Sequence, residues 1–296
     1  MRILIISGFL GAGKTTFIKE LIRRTHKNIV VMENEFGSAS LDSNAVSSGG
    51  IDVLEFMEGC VCCTMKDSFV NSVLTVSATL DPEYLVIEPT GAAELGSVLN
   101  SLKKICYDKI TLAEPLTIVS PAGFSGNMNA CAGIFTDQLR NAAKVILSKT
   151  ETAEESEIAA VCREIHEINP NAEIVKEHYT GKPDEWWESL FQQSHEKGSA
   201  RIPVRPQSAG LEEYTIKERG FRNPAELIEL LRGLLWGDYG GVIRAKGVVR
   251  CGGEWVRFDL ADGMYCVTGE DTNCEVQHCV FIGRSINREK IQSRFL

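Results

Sequence analysis

The sequence contains no run of 18 apolar residues, so no segment of it is long and hydrophobic enough for a transmembrane helix. It also lacks an excess of positive charge, since 31 Lys and Arg stand against 40 Asp and Glu for a formal net charge of −9. These two deficits argue against a membrane partner and against a general binder of nucleic-acid phosphates. Residues 1–7 run straight into a glycine-rich turn without the apolar stretch and cleavage site of a secretory leader, and the expected location is cytoplasmic. There is no internal repeat and no low-complexity tract. What is present is a globular composition, 44% hydrophobic and 24% charged over 296 residues, enough for two domains. With no export signal, the ten cysteines read as reduced thiols, metal ligands or small core residues rather than disulfides.

Up to about residue 177, short runs of Ile, Val and Leu alternate with amphipathic stretches. That grammar predicts an α/β fold with a mostly parallel sheet flanked by helices. Strands are expected at 3–7, 29–33, 84–87, 116–120, 145–148 and 173–175, and helices at 14–25, 66–80, 92–103, 134–142 and 153–168. The segment 197–212, with Gly198, Pro203, Pro206 and Gly210, reads as a linker. Beyond it one helix is expected at 223–236, with Asn223 and Pro224 suited to its N-cap and first turn. Strands at 241–251, 254–260, 264–268 and 277–283 follow, joined in part by Gly252-Gly253 and Asp262-Gly263 turns. The expected division is a domain over 1–205 and a small α+β domain over 206–296.

The strand at 3–7 leads into Gly8-Phe9-Leu10-Gly11-Ala12-Gly13-Lys14-Thr15-Thr16 and then into a helical run. This fits G-x-x-x-x-G-K-[ST] in the strand–loop–helix setting a P-loop requires. Gly8, Gly11, Ala12 and Gly13 let backbone N–H groups converge on phosphate, and the helix N-terminus holding Thr16 adds its positive dipole end. Lys14 would bridge the β- and γ-phosphates, and the Thr15 hydroxyl would ligate Mg²⁺. A P-loop needs a second acid near the metal, and two strand ends offer one: Glu88-Pro89-Thr90-Gly91, and Glu33-Asn34-Glu35-Phe36-Gly37. Glu88 would hold Mg²⁺ through water, and Gly91 would give its N–H to the γ-phosphate. The bland alternative for each acid is a solvated residue at a strand end.

Gly59-Cys60-Val61-Cys62-Cys63 places three thiols within four residues. They converge only in a turn, because in a strand Cys62 and Cys63 point to opposite faces. Such a cluster favours Zn²⁺ or another thiophilic transition metal. A second C-x-x-C is missing, so the site would be open or completed by Glu35, water or a partner. A nearby disulfide or inert core cysteines are the alternatives. Cys274 with His278-Cys279 is a weaker candidate, since strand alternation separates His278 from Cys279. His26, His166, His178 and His195 read as surface residues, and Trp186-Trp187 as packing for a short surface helix.

Taken in order, the P-loop, Glu33–Gly37, Gly59–Cys63 and Glu88–Gly91 resemble the CobW family of P-loop GTPases, related to the hydrogenase and urease nickel-insertion proteins. Asn169-Pro170-Asn171-Ala172 and Arg244-Ala245-Lys246-Gly247 resemble later segments of that family. The resemblance implies a GTP-hydrolysing metallochaperone, with Mg²⁺–GTP held by Lys14, Thr15, Glu88 and Gly91. It further implies a metal on Cys60, Cys62 and Cys63, with Glu35 assisting, for delivery to a metalloprotein client recognised by the C-terminal domain. The family reads guanine with Asn-Lys-x-Asp, where this chain has Ser148-Lys149-Thr150-Glu151. Lys149 and Glu151 would still meet the base while Ser148 cannot replace the Asn amide, so GTP is expected over ATP by a reduced margin. The family's histidine-rich stretch is absent, which argues against metal storage. The competing readings are a metal sensor with negligible hydrolysis and a P-loop small-molecule kinase.

Overall fold

The run Arg-Ile-Leu-Ile-Ile-Ser-Gly forms β1 (Arg2–Gly8), buried from Ile3 onward. A computed structural model describes residues 1–25, 27–33, 53–55, 66–107, 109–192, 211–261, 263–269 and 277–296. The chain divides into two compact units, Met1–Gln207 and Ser208–Leu296. The boundary expected at 205/206 lies outside the described residues.

In the first unit β1 is central to an all-parallel sheet with β2 (Ile29–Glu33), β3 (Val53–Glu55), β4 (Tyr84–Glu88), β5 (Thr111–Leu112), β6 (Leu116–Val119), β7 (Lys144–Leu147) and β8 (Glu173–Val175). The strand order is β3-β2-β4-β1-β6-β7-β8, with β5 pairing the first residues of β1 and β6 the last. Apolar residues on both parities of these strands are buried, as helices on both faces require. One face packs Leu4, Ile6, Val31, Val86 and Ile118 with Phe17, Ile18 and Leu21 of α1 (Lys14–Thr25) and with Trp187 of α6 (Asp184–Ser189). The remaining helices are α2 (Lys66–Thr79), α3 (Leu95–Lys103), α4 (Phe124–Asn141) and α5 (Glu155–Ile168). Consecutive members of this series pack side by side.

The short helix α6 does lie at the surface, with Asp184 and Glu185 exposed, and Trp187 packs it: that side chain is fully buried, its ring centroid 5.0 Å from that of Phe17, with Trp186 at right angles to it. Several expectations need correction. Helix α3 starts at Leu95 rather than 92, because Thr90–Ala93 closes a turn through Ala93 N–H to the Thr90 carbonyl at 2.8 Å. Helix α4 starts ten residues before the expected 134. Its first turns hold Ser125, Gly126 and Asn127, poor helix formers, and its backbone leaves helical geometry at Cys131 (φ −144°, ψ 44°). Burial of Phe124, Cys131 and Phe135 holds it in place. Asn169 explains the Asn-Pro-Asn-Ala segment: its buried Nδ2 donates to the carbonyls of Leu139 and Ala142, both at 2.8 Å, and so closes the C-terminus of α4.

The second unit is an antiparallel sheet ordered β12-β11-β10-β13-β9, from β9 (Glu212–Lys217), β10 (Gly241–Cys251), β11 (Glu254–Ala261), β12 (Met264–Gly269) and β13 (His278–Arg284). Helix α7 (Pro224–Leu235) buries Leu227, Leu230, Leu231 and Leu234 in a core shared with Phe258 and Phe281. Asn223 caps it, its side-chain oxygen accepting from Glu226 N–H at 3.2 Å. Strand β9 begins at the last residue of the expected linker, and the short α8 (Arg288–Gln292) has too few residues to show a periodicity in sequence. Cys279 is fully buried in this core, on the sheet face opposite His278, and burial pushes its thiol well above the ordinary range. Cys279 is therefore a core residue. Cys274 lies outside the described residues.

Candidate functional site

The carboxyl ends of β1, β2, β4, β6 and β7 meet at one edge of the parallel sheet, where ligands of open α/β folds bind. Gly8 leaves β1 with φ 148°, and a Cβ there would stand 2.5 Å from the Ile118 carbonyl oxygen, so only glycine lets the chain turn beside β6. Gly11 and Gly13 also take left-handed φ, 80° and 92°. Helix α1 begins at Lys14, which leaves the loop's N–H groups and the helix dipole facing the same space.

Three predicted residues converge there. The Thr15 hydroxyl lies 3.2 Å from both carboxylate oxygens of Glu88, across 73 positions of sequence. Lys14 Nζ is 3.8 Å from Glu88 Oε1 and 3.5 Å from the Phe9 carbonyl. Lys14 and Glu88 are both buried, so the pair is held inside low-dielectric surroundings. A hydroxyl and a carboxylate side by side are the hard oxygen donors that suit Mg²⁺, and an ammonium at the same place suits phosphate. Glu33 is buried too and stands in register with Glu88 across β2 and β4. Gly91 packs against the loop so closely that a Cβ on it would lie 2.7 Å from the Leu10 nitrogen.

At the end of β7, Ser148 is buried and its hydroxyl donates to the Ala12 carbonyl at 2.6 Å. Gly13 sits directly over it, a Cβ there lying 3.8 Å from the Ser148 side chain. Lys149 follows in the left-handed region (φ 53°) and is exposed, and Glu151 extends from a short 3-10 turn, Thr150–Thr152. Glu151 Oε1 is 2.7 Å from His178 Nε2, so His178, read as an isolated surface residue, is in fact tied to the β7 loop. His178 stacks on Tyr179, which packs edge-on against Phe17 of α1. Ala12, within the loop, is buried, and Thr16 is exposed on the first turn of α1.

Glu35, Cys60, Cys62 and Cys63 lie outside the described residues. Among the described residues no group of three His, Cys, Asp or Glu side chains converges as a ligand set. No helix among them is long and apolar enough to cross a membrane.

Residues 2–176 match the family model described as CobW/HypB/UreG, nucleotide-binding domain, and residues 211–296 match the cobalamin synthesis protein CobW C-terminal domain. The chain belongs to the CobW family. Among curated members, zinc chaperone YjiA of Escherichia coli is 29% identical over 165 residues, covering 53% of this chain and 52% of that protein. Zinc chaperone YeiR of the same organism is 33% identical over 159 residues, covering 52% of this chain and 48% of that protein. Zinc-regulated GTPase metalloprotein activator 1 of Schizosaccharomyces pombe is 28% identical over 196 residues, covering 63% and 47%. The chain spans about half the length of the curated CobW-family relatives it matches. The crystal structure of Zn(II)-bound YjiA aligns with TM-score 0.48 and 20% identity over 99% of this chain and 97% of that one.

Proposed function

We propose that this CobW-family protein binds Mg²⁺–GTP, hydrolyses it, and couples that cycle to holding and releasing a transition metal, zinc first, for delivery to a metalloprotein client. The observation that carries the nucleotidase half is the meeting of Lys14, Thr15 and Glu88 at the mouth of the Gly8–Thr15 loop. In this reading the backbone N–H groups of 11–15 cradle the phosphates. Lys14 neutralises charge developing on the transferred group, and Thr15 with Glu88 would hold Mg²⁺, whose chemistry is charge neutralisation at the phosphates. Gly91 supplies an N–H to the γ-phosphate.

The metal half rests on Cys60, Cys62 and Cys63 standing in the chain between the Glu33 and Glu88 strand ends, and on the zinc chaperones among the relatives. Thiolate ligands suit a soft or borderline cation, and ligands carried in the chain between the Glu33 and Glu88 strand ends would respond to the γ-phosphate coming and going. The test measures GTP turnover and zinc affinity together. Wild type should hold about one Zn²⁺ per chain against a chromogenic chelator, release protons on binding, and change its turnover when loaded. The Cys60/Cys62/Cys63→Ser variant should lose both effects, and unchanged zinc affinity in it would put the metal elsewhere.

A further inference from the structure

Gln138 sits on α4, completely buried, 47 positions from the residue its side chain holds. Its Nε2 donates to the Gly91 carbonyl at 3.0 Å and to the Ala93 carbonyl at 2.9 Å. Two carbonyl acceptors fix the amide's orientation, because the reversed amide would set oxygen against oxygen. Its own backbone carbonyl accepts from the Thr117 hydroxyl of β6 at 3.0 Å, which ties the helix to the sheet at the same residue. Its Oε1 is buried with no hydrogen-bond partner among the described residues. A buried amide that leaves one acceptor unmet is costly, and the two bonds from its other end must outweigh that cost.

The neighbours of Gln138 on α4 grip the same region. Phe135, three positions earlier, meets Phe9 of the phosphate loop edge-on with ring centroids 6.0 Å apart. Asp137 accepts the Gly96 N–H at 3.0 Å at the start of α3. One helix therefore touches the phosphate loop and the turn that follows Glu88. Between them lies Gly91, pressed on one side against Leu10 and held on the other by Gln138.

We propose that Gln138 is a positioning residue for phosphoryl transfer: its amide holds the Gly91–Ala93 turn against the phosphate loop, at the place where the Gly91 N–H meets a γ-phosphate. The inference rests on the nucleotidase reading above, in which that N–H is a γ-phosphate ligand. Gln138 itself touches no phosphate. Its effect should therefore appear with triphosphate and vanish with diphosphate, which a role in general stability would not produce.

Gln138→Met keeps the side chain's length and removes both donors. We expect its turnover number to fall at least about tenfold and its affinity for a non-hydrolysable GTP analogue to drop several-fold, while GDP affinity stays within about twofold of wild type. In Gln138→Glu the carboxylate opposes two carbonyl oxygens until it takes up a proton and can donate. Its activity relative to wild type should climb as pH falls, and that of the Met variant should not. A folded Gln138→Met protein with wild-type turnover and wild-type preference for triphosphate overturns the inference. If the Met variant does not fold, a Gln138→Glu profile parallel to wild type overturns it instead. Lys14→Ala is measured alongside. Loss of turnover there with retention in Gln138→Met defeats the Gln138 assignment alone, whereas a wild type that hydrolyses nothing defeats the nucleotidase reading as well.

Discussion

The Ser148 hydroxyl donates to the Ala12 carbonyl at 2.6 Å, across 136 positions of sequence. This bond fastens the phosphate loop to the end of β7, two strands away from the strand that carries the loop. Ser148, the first residue of the segment compared with Asn-Lys-x-Asp, thus has its hydroxyl committed to the phosphate loop. It is turned under the loop, and the next exposed acid, Glu151, is left as the group that would read a base.

That arrangement separates two effects. Removing the hydroxyl in Ser148→Ala forfeits a buried hydrogen bond worth about 1 kcal/mol and loosens the loop, so GTP and ATP should both bind several-fold more weakly with their ratio unchanged. If Glu151 is the ionic acceptor for the guanine N1–H and N2–H₂, Glu151→Ala removes a contact worth roughly 1.5–3 kcal/mol and should erase most of the preference for GTP. Titration of fluorescent GTP and ATP analogues decides between them. A GTP:ATP ratio that survives Glu151→Ala would mean this loop does not read the base.

Lys14→Ala should leave the chain folded and lower GTP turnover by at least about a hundredfold, the scale expected when a donor that stabilises developing charge is lost. The structure adds a second expectation. Glu88, buried beside Lys14, would keep Thr15 but lose the Lys14 ammonium, so nucleotide binding should depend more steeply on Mg²⁺ than in wild type. Equal turnover in Lys14→Ala and wild type, measured by phosphate release, would remove the nucleotidase reading.

The helix behind the loop supplies a pH-dependent test. Glu20 on α1 accepts from Arg23 and Arg24, and these bonds, the Arg23 one foremost, hold its carboxyl at about 2 rather than 4.5. A lowered carboxyl contributes stability that is present above its ordinary titration range and lost as pH falls from 4.5 towards about 2. Glu20→Gln should therefore cost about 0.5–1 kcal/mol near neutral pH, the size of helix-surface ion pairs, and the deficit should close in acid. Urea midpoints of the two proteins that stay equally far apart at both pH values would contradict the assignment.

The local parts of the site could be read directly from residue order. The Gly8–Thr15 loop and the acid ending β4 are written in adjacent residues, because a phosphate loop is built from consecutive N–H groups and a parallel strand ends where its apolar run ends. Ser148, Gln138 and Asn169 act on carbonyls 136, 47 and 27 positions away, and no periodicity announces a side chain whose partner is a distant backbone. The start of α4 was hidden for a related reason: Gly126 and Asn127 disfavour a helix, and tertiary burial of Phe124 and Phe135 overrides them. That Trp186-Trp187 packs a short surface helix is legible in the sequence, but which ring turns inward is not, because two adjacent tryptophans on a helix point in different directions and only packing chooses between them.

Gly91 offers the most direct probe of how the turn after Glu88 meets the loop. A Cβ added there would lie 2.7 Å from the Leu10 nitrogen, 2.8 Å from its Cδ2 and 2.9 Å from its Cα. Two of those atoms are backbone of the phosphate loop, so a rotamer change cannot relieve the contact and either the loop or the turn must move. The loop is held by Ser148 and by Phe9 packed on Phe135, while the turn is held by its own Ala93 N–H to Thr90 carbonyl bond and by Gln138. We therefore expect the turn to give way in Gly91→Ala, carrying its N–H off the position proposed above for the γ-phosphate. Displacements of this size typically cost one to two orders of magnitude in rate, about 10- to 100-fold here, while GDP, which has no γ-phosphate, should bind within about twofold of wild type. Single-turnover hydrolysis and GDP titration on the same preparation give both numbers. A Gly91→Ala protein that loses GDP affinity as steeply as turnover would show that the loop, and not the turn, had moved.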